Sequence, residues 1–404
     1  MLTLLLATVG LLALAIAAGS RWLRETPVTP PLLALGLGVL LGPTVFGLAE
    51  LRPGETHHVL NVAAELLLAV GLMAVALRFP AGRLRAHVRP LLWLLLVVLP
   101  LMAATVALVS VPLLGLGLGT AVALGAALAP TDPVLSSGVV TGPAAERDVP
   151  ERLRQVLSFE SGLNDGLALP LVAVGLAFAL GHDVVAAGAR GLLEVAVGAA
   201  VGLALGAAAG RLLRAAEKHG DVTDPARLLY TLVLALAVLG IADGLGGNGV
   251  LAVLVAGLAH NLLVSGGDRA TEADLDEGMN TFLILPVFTL LGIALPVDGW
   301  RELGWGGVAF VAAVLFLRRL PWVFLVGGAL GTGRGRPAVW LGWFGPIGVA
   351  ALFYLTHLHE RGLVDEVVWD AGSLAVVAST VFHSLTTPLG RRLLAGEAHA
   401  DHGR

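Results

Sequence analysis

The chain has 404 residues, 57% of them hydrophobic and 13% charged, with a formal net charge of −4 and no cysteine. A soluble domain carries about 25% charged residues, so a soluble enzyme, a nucleic-acid-binding protein and a disulfide or thiolate-metal scaffold are excluded. A polytopic membrane protein fits this balance, and the 53 glycines suit transmembrane helices that approach one another closely.

A membrane-spanning helix needs about 20 apolar residues. Thirteen segments qualify: roughly 2–19, 29–49, 60–78, 90–113, 116–141, 155–181, 186–213, 226–243, 247–265, 279–297, 304–330, 337–357 and 368–390. The first begins Met1-Leu2-Thr3, without a base, and its first basic residues, Arg21 and Arg24, follow the apolar run. That order is the reverse of a signal peptide and predicts a retained helix whose C-terminal end is cytoplasmic. Loops numbered odd, with the C-terminal tail, hold Arg21, Arg24, Arg78, Arg83, Arg85, Arg89, Arg147, Arg152, Arg154, Arg211, Arg214, Lys218, Arg227, Arg269, Arg334, Arg336, Arg391, Arg392 and Arg404. Even loops hold Arg52, Arg190, Arg301 and Arg361. Nineteen against four predicts the N-terminus outside, the C-terminus inside and an odd number of spans. Arg318 and Arg319 fall inside the eleventh segment.

Two segments are interrupted. Pro130 and Pro133 flank Thr131-Asp132 in the fifth, and Gly342-Trp343-Phe344-Gly345-Pro346-Ile347-Gly348 breaks the twelfth. Proline removes a donor and drives its predecessor from helical angles. The breaks occupy the fifth place of each six-helix half, with one linker between. Paired breaks of this kind point to an inverted-repeat transporter with its site where they meet.

The chemistry centres on Glu160-Ser161-Gly162-Leu163-Asn164-Asp165-Gly166, set between apolar runs. A carboxylate at membrane depth costs about 2.5 to 3.5 kcal/mol on insertion scales and marks an ion or proton pathway. Asp165 can bind a cation or a proton, never both. Desolvation raises a carboxylate pKa and a nearby cation lowers it, so a buried aspartate can titrate near neutral pH. A structural aspartate paired with a base is the alternative reading. Asn164 offers a carbonyl to a cation and a donor to a carboxylate, or else bridges helices. Ser161 shares the Asp165 helix face, one turn earlier. Glu160 is turned about 140° from Asp165 and suits an ion pair with Arg318 or Arg319, since an arginine in an apolar span also requires a partner. Asp132 lies where half-helix N-termini present positive charge, and the Thr131 carbonyl, freed by Pro133, faces the same place. His57, His58, His357 and His359 fall in predicted outer loops, His260 ends the ninth segment, and His399 and His402 lie in the tail. Glu65 and Glu194 are lone acids in apolar segments without a role legible from spacing.

The runs Ala129-Pro130-Thr131-Asp132-Pro133-Val134, Val149-Pro150-Glu151-Arg152-Leu153-Arg154 and Glu160 to Gly166 resemble the monovalent cation:proton antiporters. The likeness is to the branch with an Asn-Asp pair, the NhaP-type Na+/H+ exchangers and their eukaryotic relatives. Asn248 to Val253, Ala256 to Leu258 and Gly342 to Pro346 extend it along essentially the whole chain. The resemblance implies an all-α protein of about thirteen transmembrane helices, an inverted repeat with two broken crossing helices, forming a homodimer in membrane lipid. The first repeat would be 1–181, the linker helix 182–225, the second repeat 226–393 and the short cytoplasmic tail 394–404. Core helices over 90–181 and 304–390 would move against dimerisation helices over 2–78 and 226–297. The cation site would map onto Asp165, Ser161, Asp132 and the Thr131 backbone, with Asn164 supporting, and Glu160 would form the core ion pair. Many members carry Arg after the Gly-Pro of the twelfth helix; here the residue is Ile347, which leaves Arg319 or Arg318 as the base. Some carry a glutamate mid-way along the third helix; here the stretch reads Leu68-Ala69-Val70-Gly71-Leu72, with Glu65 a turn earlier.

The expected activity is secondary-active, cofactor-free exchange of protons for Na+ or Li+ in a bacterial inner membrane, electroneutral because one aspartate carries either ion. A K+/H+ antiporter of the same fold is the alternative. An intramembrane aspartyl protease would pair Asp132 with Asp165, but its Tyr-Asp and Gly-x-Gly-Asp contexts are absent. A passive channel would need no titrating ligand.

Overall fold

A backbone in hydrocarbon must satisfy its own hydrogen bonds, and a helix does so within one segment. The structure, a computed structural model, describes residues 2–20, 23, 26–52, 54–219, 224–263, 278 and 282–401. Among these residues every regular element is helical. In chain order they are α1 (Leu2–Ala18), α2 (Pro30–Leu41), α3 (Thr56–Arg78), α4 (Ala81–Leu114), α5 (Leu118–Ala127), α6 (Ser137–Val140), α7 (Gly142–Asp148), α8 (Glu151–Ala179), α9 (Val184–His219), α10 (Asp224–Gly244), α11 (Gly249–Asn261), α12 (Phe282–Ile293), α13 (Val297–Leu325), α14 (Arg336–Trp343), α15 (Val349–Glu360) and α16 (Glu366–Asp401), with a further turn at Gly327–Leu330. Six of them, α3, α4, α8, α9, α13 and α16, are individually long and apolar enough to cross a membrane. Six more apolar helices are shorter.

The helices fall on the predicted apolar runs, and several, α3, α4, α9, α15 and α16 among them, overrun those runs at an end. His57 and His58 were expected in an outer loop and stand instead in the first turn of α3. His357 and His359, also expected there, stand in the last turn of α15. Apolar content marks the part of a helix that lipid or core covers, not where its hydrogen bonds stop. For the same reason α16 continues to Asp401, through most of the predicted tail that starts at 394. Arg21, Arg24, Arg269, Arg404 and His402, with 220–223 of the linker and parts of the ninth and tenth segments, lie outside the described residues.

Close helix contacts explain much of the glycine. On α9, Gly198, Gly202 and Gly206 recur every four residues, and a Cβ on each would strike the carbonyls of Asn248, Ala252 and Ala256 on α11. Backbones can approach this closely only across small residues. α3 packs between α11 and α15, while α5 packs against α4 and the second half of α8. Two interruptions matter for the site. α8 is broken at Ala168, because Pro170 has no N–H for the Gly166 carbonyl. α13 is broken at Arg318-Arg319, just before Pro321.

Candidate functional site

The chain is not helical between α5 and α6 or between α14 and α15, and these two gaps meet. Asp132 N–H donates to the Pro346 carbonyl at 2.9 Å. Crossing backbones leave helix ends facing the protein interior, N–H groups on one side and carbonyls on the other. Each set has a charged side chain. Asp132 Oδ1 accepts from the N–H groups of Val134 (2.7 Å) and Leu135 (3.0 Å), and Oδ2 accepts from Val349 N–H at the start of α15. Arg318 Nη1 donates to the carbonyls of Ala129 and Pro130, each at 3.1 Å, and Nη2 donates to that of Gly345. The carboxylate thus covers the positive ends and the guanidinium the negative ends. Gly348 is obligatory here, since a Cβ would strike the Asp132 carboxylate.

Glu160 sits five residues before Asp165 on α8, and both are buried. Arg319 holds it in a bidentate pair, Nη1 to Oε1 at 2.8 Å and Nη2 to Oε2 at 3.1 Å. Arg318 does not reach Glu160, and the expectation that either arginine would serve is narrowed to Arg319. The α13 break before Pro321 is the physical reason: it turns the two neighbours apart, one to carbonyls and one to a carboxylate. Asn164 Nδ2 donates to Glu160 Oε1 and to Thr131 Oγ1, both at 2.8 Å, while its Oδ1 accepts from Thr131 N–H at 3.1 Å. The Thr131 hydroxyl lies 2.9 Å from Ser161 Oγ and donates to Glu160 Oε2 at 3.4 Å. Thr131, Glu160, Ser161, Asn164 and Arg319 are therefore one network that ties the α5–α6 gap to α8 and α13.

Asp165 is the exception. It is fully buried, and neither carboxylate oxygen has a hydrogen-bond partner among the described residues. A buried, unpaired carboxylate is costly in its charged form. The buried carboxyl and guanidinium groups of this centre are Asp132, Glu160 and Asp165 against Arg318 and Arg319. One negative charge is left over, and one bound proton or monovalent cation would cancel it.

Two cavities approach the crossing from opposite ends of the helices. One, of about 800 Å3, is lined by Glu65, Glu194, Asp243 and Glu360 among others, and reaches Tyr354 and Asn248. The lone acids Glu65 and Glu194 are thereby brought together. The other, of about 900 Å3, is lined by Thr29, Arg78, Leu135, Ser137 and Thr387 among others. Asp165 lines neither.

The family described as "Sodium/hydrogen exchanger, transmembrane" matches residues 9–389 of this chain. The chain belongs to that family. Na(+)/H(+) antiporter 2 of Zygosaccharomyces rouxii is 29% identical over 341 residues, which cover 78% of this chain and 41% of that protein. The Na(+)/H(+) antiporter of Schizosaccharomyces pombe is 28% identical over 390 residues, 86% of this chain and 81% of that protein. The chain thus spans less than half the length of the first relative and most of the second. The sodium proton antiporter MjNhaP1 from Methanocaldococcus jannaschii superimposes with a TM-score of 0.69 at 19% identity, covering 100% of this chain and 97% of that one. The fold is accordingly that of the Na+/H+ antiporters.

Within this exchanger-family framework two residues of α16 act on the site without having been singled out in the sequence. His383 Nε2 lies 2.9 Å from the Trp343 carbonyl, and its Nδ1 lies 2.8 Å from the Ser379 carbonyl. Its Nδ1 lies 3.1 Å from Ser379 Oγ, which accepts from Ile347 N–H at 2.7 Å. Together they clasp both sides of the α14–α15 gap. The signal was present as Ser379-Thr380 and His383-Ser384 inside an otherwise apolar segment. Asn248, the first residue of a run that carries the resemblance, also acts here. It caps α11 through Leu251 N–H and donates to the Gly166 carbonyl that Pro170 leaves open, at 2.8 Å.

Proposed function

We propose that the protein is a secondary antiporter that exchanges one proton for one Na+ or Li+ by alternating access, with Asp165 carrying either ion. The observation that carries this reading is the fully buried Asp165 carboxylate, without a hydrogen-bond partner among the described residues, beside charges that are all otherwise engaged. A ligand that holds one ion at a time couples the two fluxes, and no cofactor or ATP is required. Because either cargo cancels the leftover charge, the loaded core crosses neutral in both directions, and exchange is electroneutral. Ser161, Asn164 and the Thr131 backbone complete the cation's oxygen shell. Asp132 and Arg318 hold the crossing's electrostatics, and Glu160 with Arg319 braces it. Core helices over 90–181 and 304–390 move against dimerisation helices over 2–78 and 226–297 in a homodimer.

The membrane is a bacterial inner membrane, and the charge bias of the loops supports an N-terminus outside, so that the acidic cavity faces outward. The test is proton flux in sealed proteoliposomes loaded with a pH dye, to which Na+, Li+ or K+ is added in turn. Na+ and Li+ are expected to drive a pH change that Asp165→Asn abolishes while the dimer stays folded. A response to K+ alone would replace the substrate, and exchange retained by Asp165→Asn would remove Asp165 from its role.

A further inference from the structure

The two cavities stop short of Asp165, so something must separate the carboxylate from each. On the acidic side the separating group is identifiable. Tyr354 lies on α15, about one and a half turns after the N-terminus that Asp132 holds. It is fully buried, lines the end of the acidic cavity, and donates its hydroxyl to the backbone carbonyl of Asp165. The contact joins the second broken helix to α8 at the point where α8 is itself weakened. One residue further on, the Gly166 carbonyl is held by Asn248 of α11, another residue lining that cavity. Two residues on the wall of the acidic cavity, Tyr354 and Asn248, thus each hold a carbonyl of the Asp165-Gly166 pair.

We infer that Tyr354 is the gate between Asp165 and the acidic cavity, a positioning residue whose hydroxyl locks the Asp165 backbone while the site is shut on that side. This rests on the antiporter reading and adds a residue to it. A neutral phenol suits the place. It closes the path with a ring that excludes water, and it adds no charge to the path. A fixed cation there would repel the cargo, and a further carboxylate would add a second titrating group.

The absence of cysteine makes a direct test available, since Asp165→Cys carries the only thiol in the chain. Its reaction with a small membrane-impermeant cationic thiol reagent is followed in vesicles of known sidedness, with and without Tyr354→Phe. From the acidic-cavity side, loss of the hydroxyl is expected to raise the labelling rate about tenfold, the worth of one hydrogen bond. From the opposite side the rate is expected to stay the same. In the Asp165-containing protein, the same Tyr354→Phe change lowers the cation KM on the acidic side and leaves kcat nearly untouched. Tyr354→Leu, which also removes the ring, increases labelling further. Rates within twofold of the parent in both variants overturn the gate, as does an equal rise from both sides, which would mean a loosened fold. A collapsed melting temperature in both variants assigns the hydroxyl to folding and overturns it too. Labelling needs no ion transport, so it tests the gate even if the chain exchanges nothing, and a failure of exchange leaves the labelling result unchanged.

Discussion

Glu160 and Asp165 lie on one helix, five residues apart, both buried, and the protein treats them oppositely. Around Glu160, Arg319 fills both oxygens, Asn164 adds a third bond and Thr131 a fourth. Around Asp165 there is none among the described residues. A bidentate arginine pair is specific as well as strong, and it locks α8 to α13. The bare carboxylate has no such anchor, and on the proposed reading it is the group that takes a proton or a cation in turn. The surrounding network holds a frame, and it leaves the Asp165 carboxylate without a hydrogen-bond partner among the described residues.

Asp165→Asn erases the difference between the two carboxylates most completely. It is expected to reduce exchange below detection in proteoliposomes while leaving the melting temperature unchanged or raised. An amide removes the buried charge without changing shape. Glu160→Gln reverses the pattern. It strands the Arg319 guanidinium and is expected to cost about 3 to 5 kcal/mol of stability in detergent denaturation, with Glu160→Gln/Arg319→Met recovering most of it. Asp132→Asn removes charge from three backbone N–H bonds and should cost about 1 to 3 kcal/mol in the same assay, with exchange slowed but not lost. Proton competition at Asp165 sets a sign for pH. Each unit of acidification below the carboxyl's titration should raise the cation KM about tenfold at constant kcat, read from initial rates across a pH series. The smallest effect falls on the frame itself. His383→Ala should cost about 1 kcal/mol, because the α14–α15 gap keeps Arg318 and Asp132 when it loses its clasp.

The sequence disclosed the parts of this arrangement that depend on local chemistry. Pro130 and Pro133, and Gly345 with Pro346, announce gaps because proline and glycine act on their own backbone. The Glu160–Gly166 run announces a site because polar groups are costly in apolar surroundings. What stayed hidden depended on direction. Arg318 and Arg319 are adjacent and chemically alike, and only the bend before Pro321 sends one to Gly345 and the other to Glu160. Asp132 read as a ligand candidate, yet its oxygens are engaged by Val134, Leu135 and Val349. His383 stood in a polar pair that spacing alone does not assign, because its target, Trp343, is 40 residues away. Tyr354 lies inside the twelfth apolar segment, and only the fold brings its hydroxyl to the Asp165 carbonyl.

Whether one carboxylate carries both ions can be read from cation-driven proton flux in sealed proteoliposomes, with the membrane potential clamped first at zero and then at a large value of either sign. One carboxylate that carries either a proton or a cation predicts an Na+-driven pH change whose rate is the same at every potential. A rate that follows the potential would mean that a second buried carboxylate shares the charge. That result would contradict the assignment of Asp165 as the one unpaired group of the cycle.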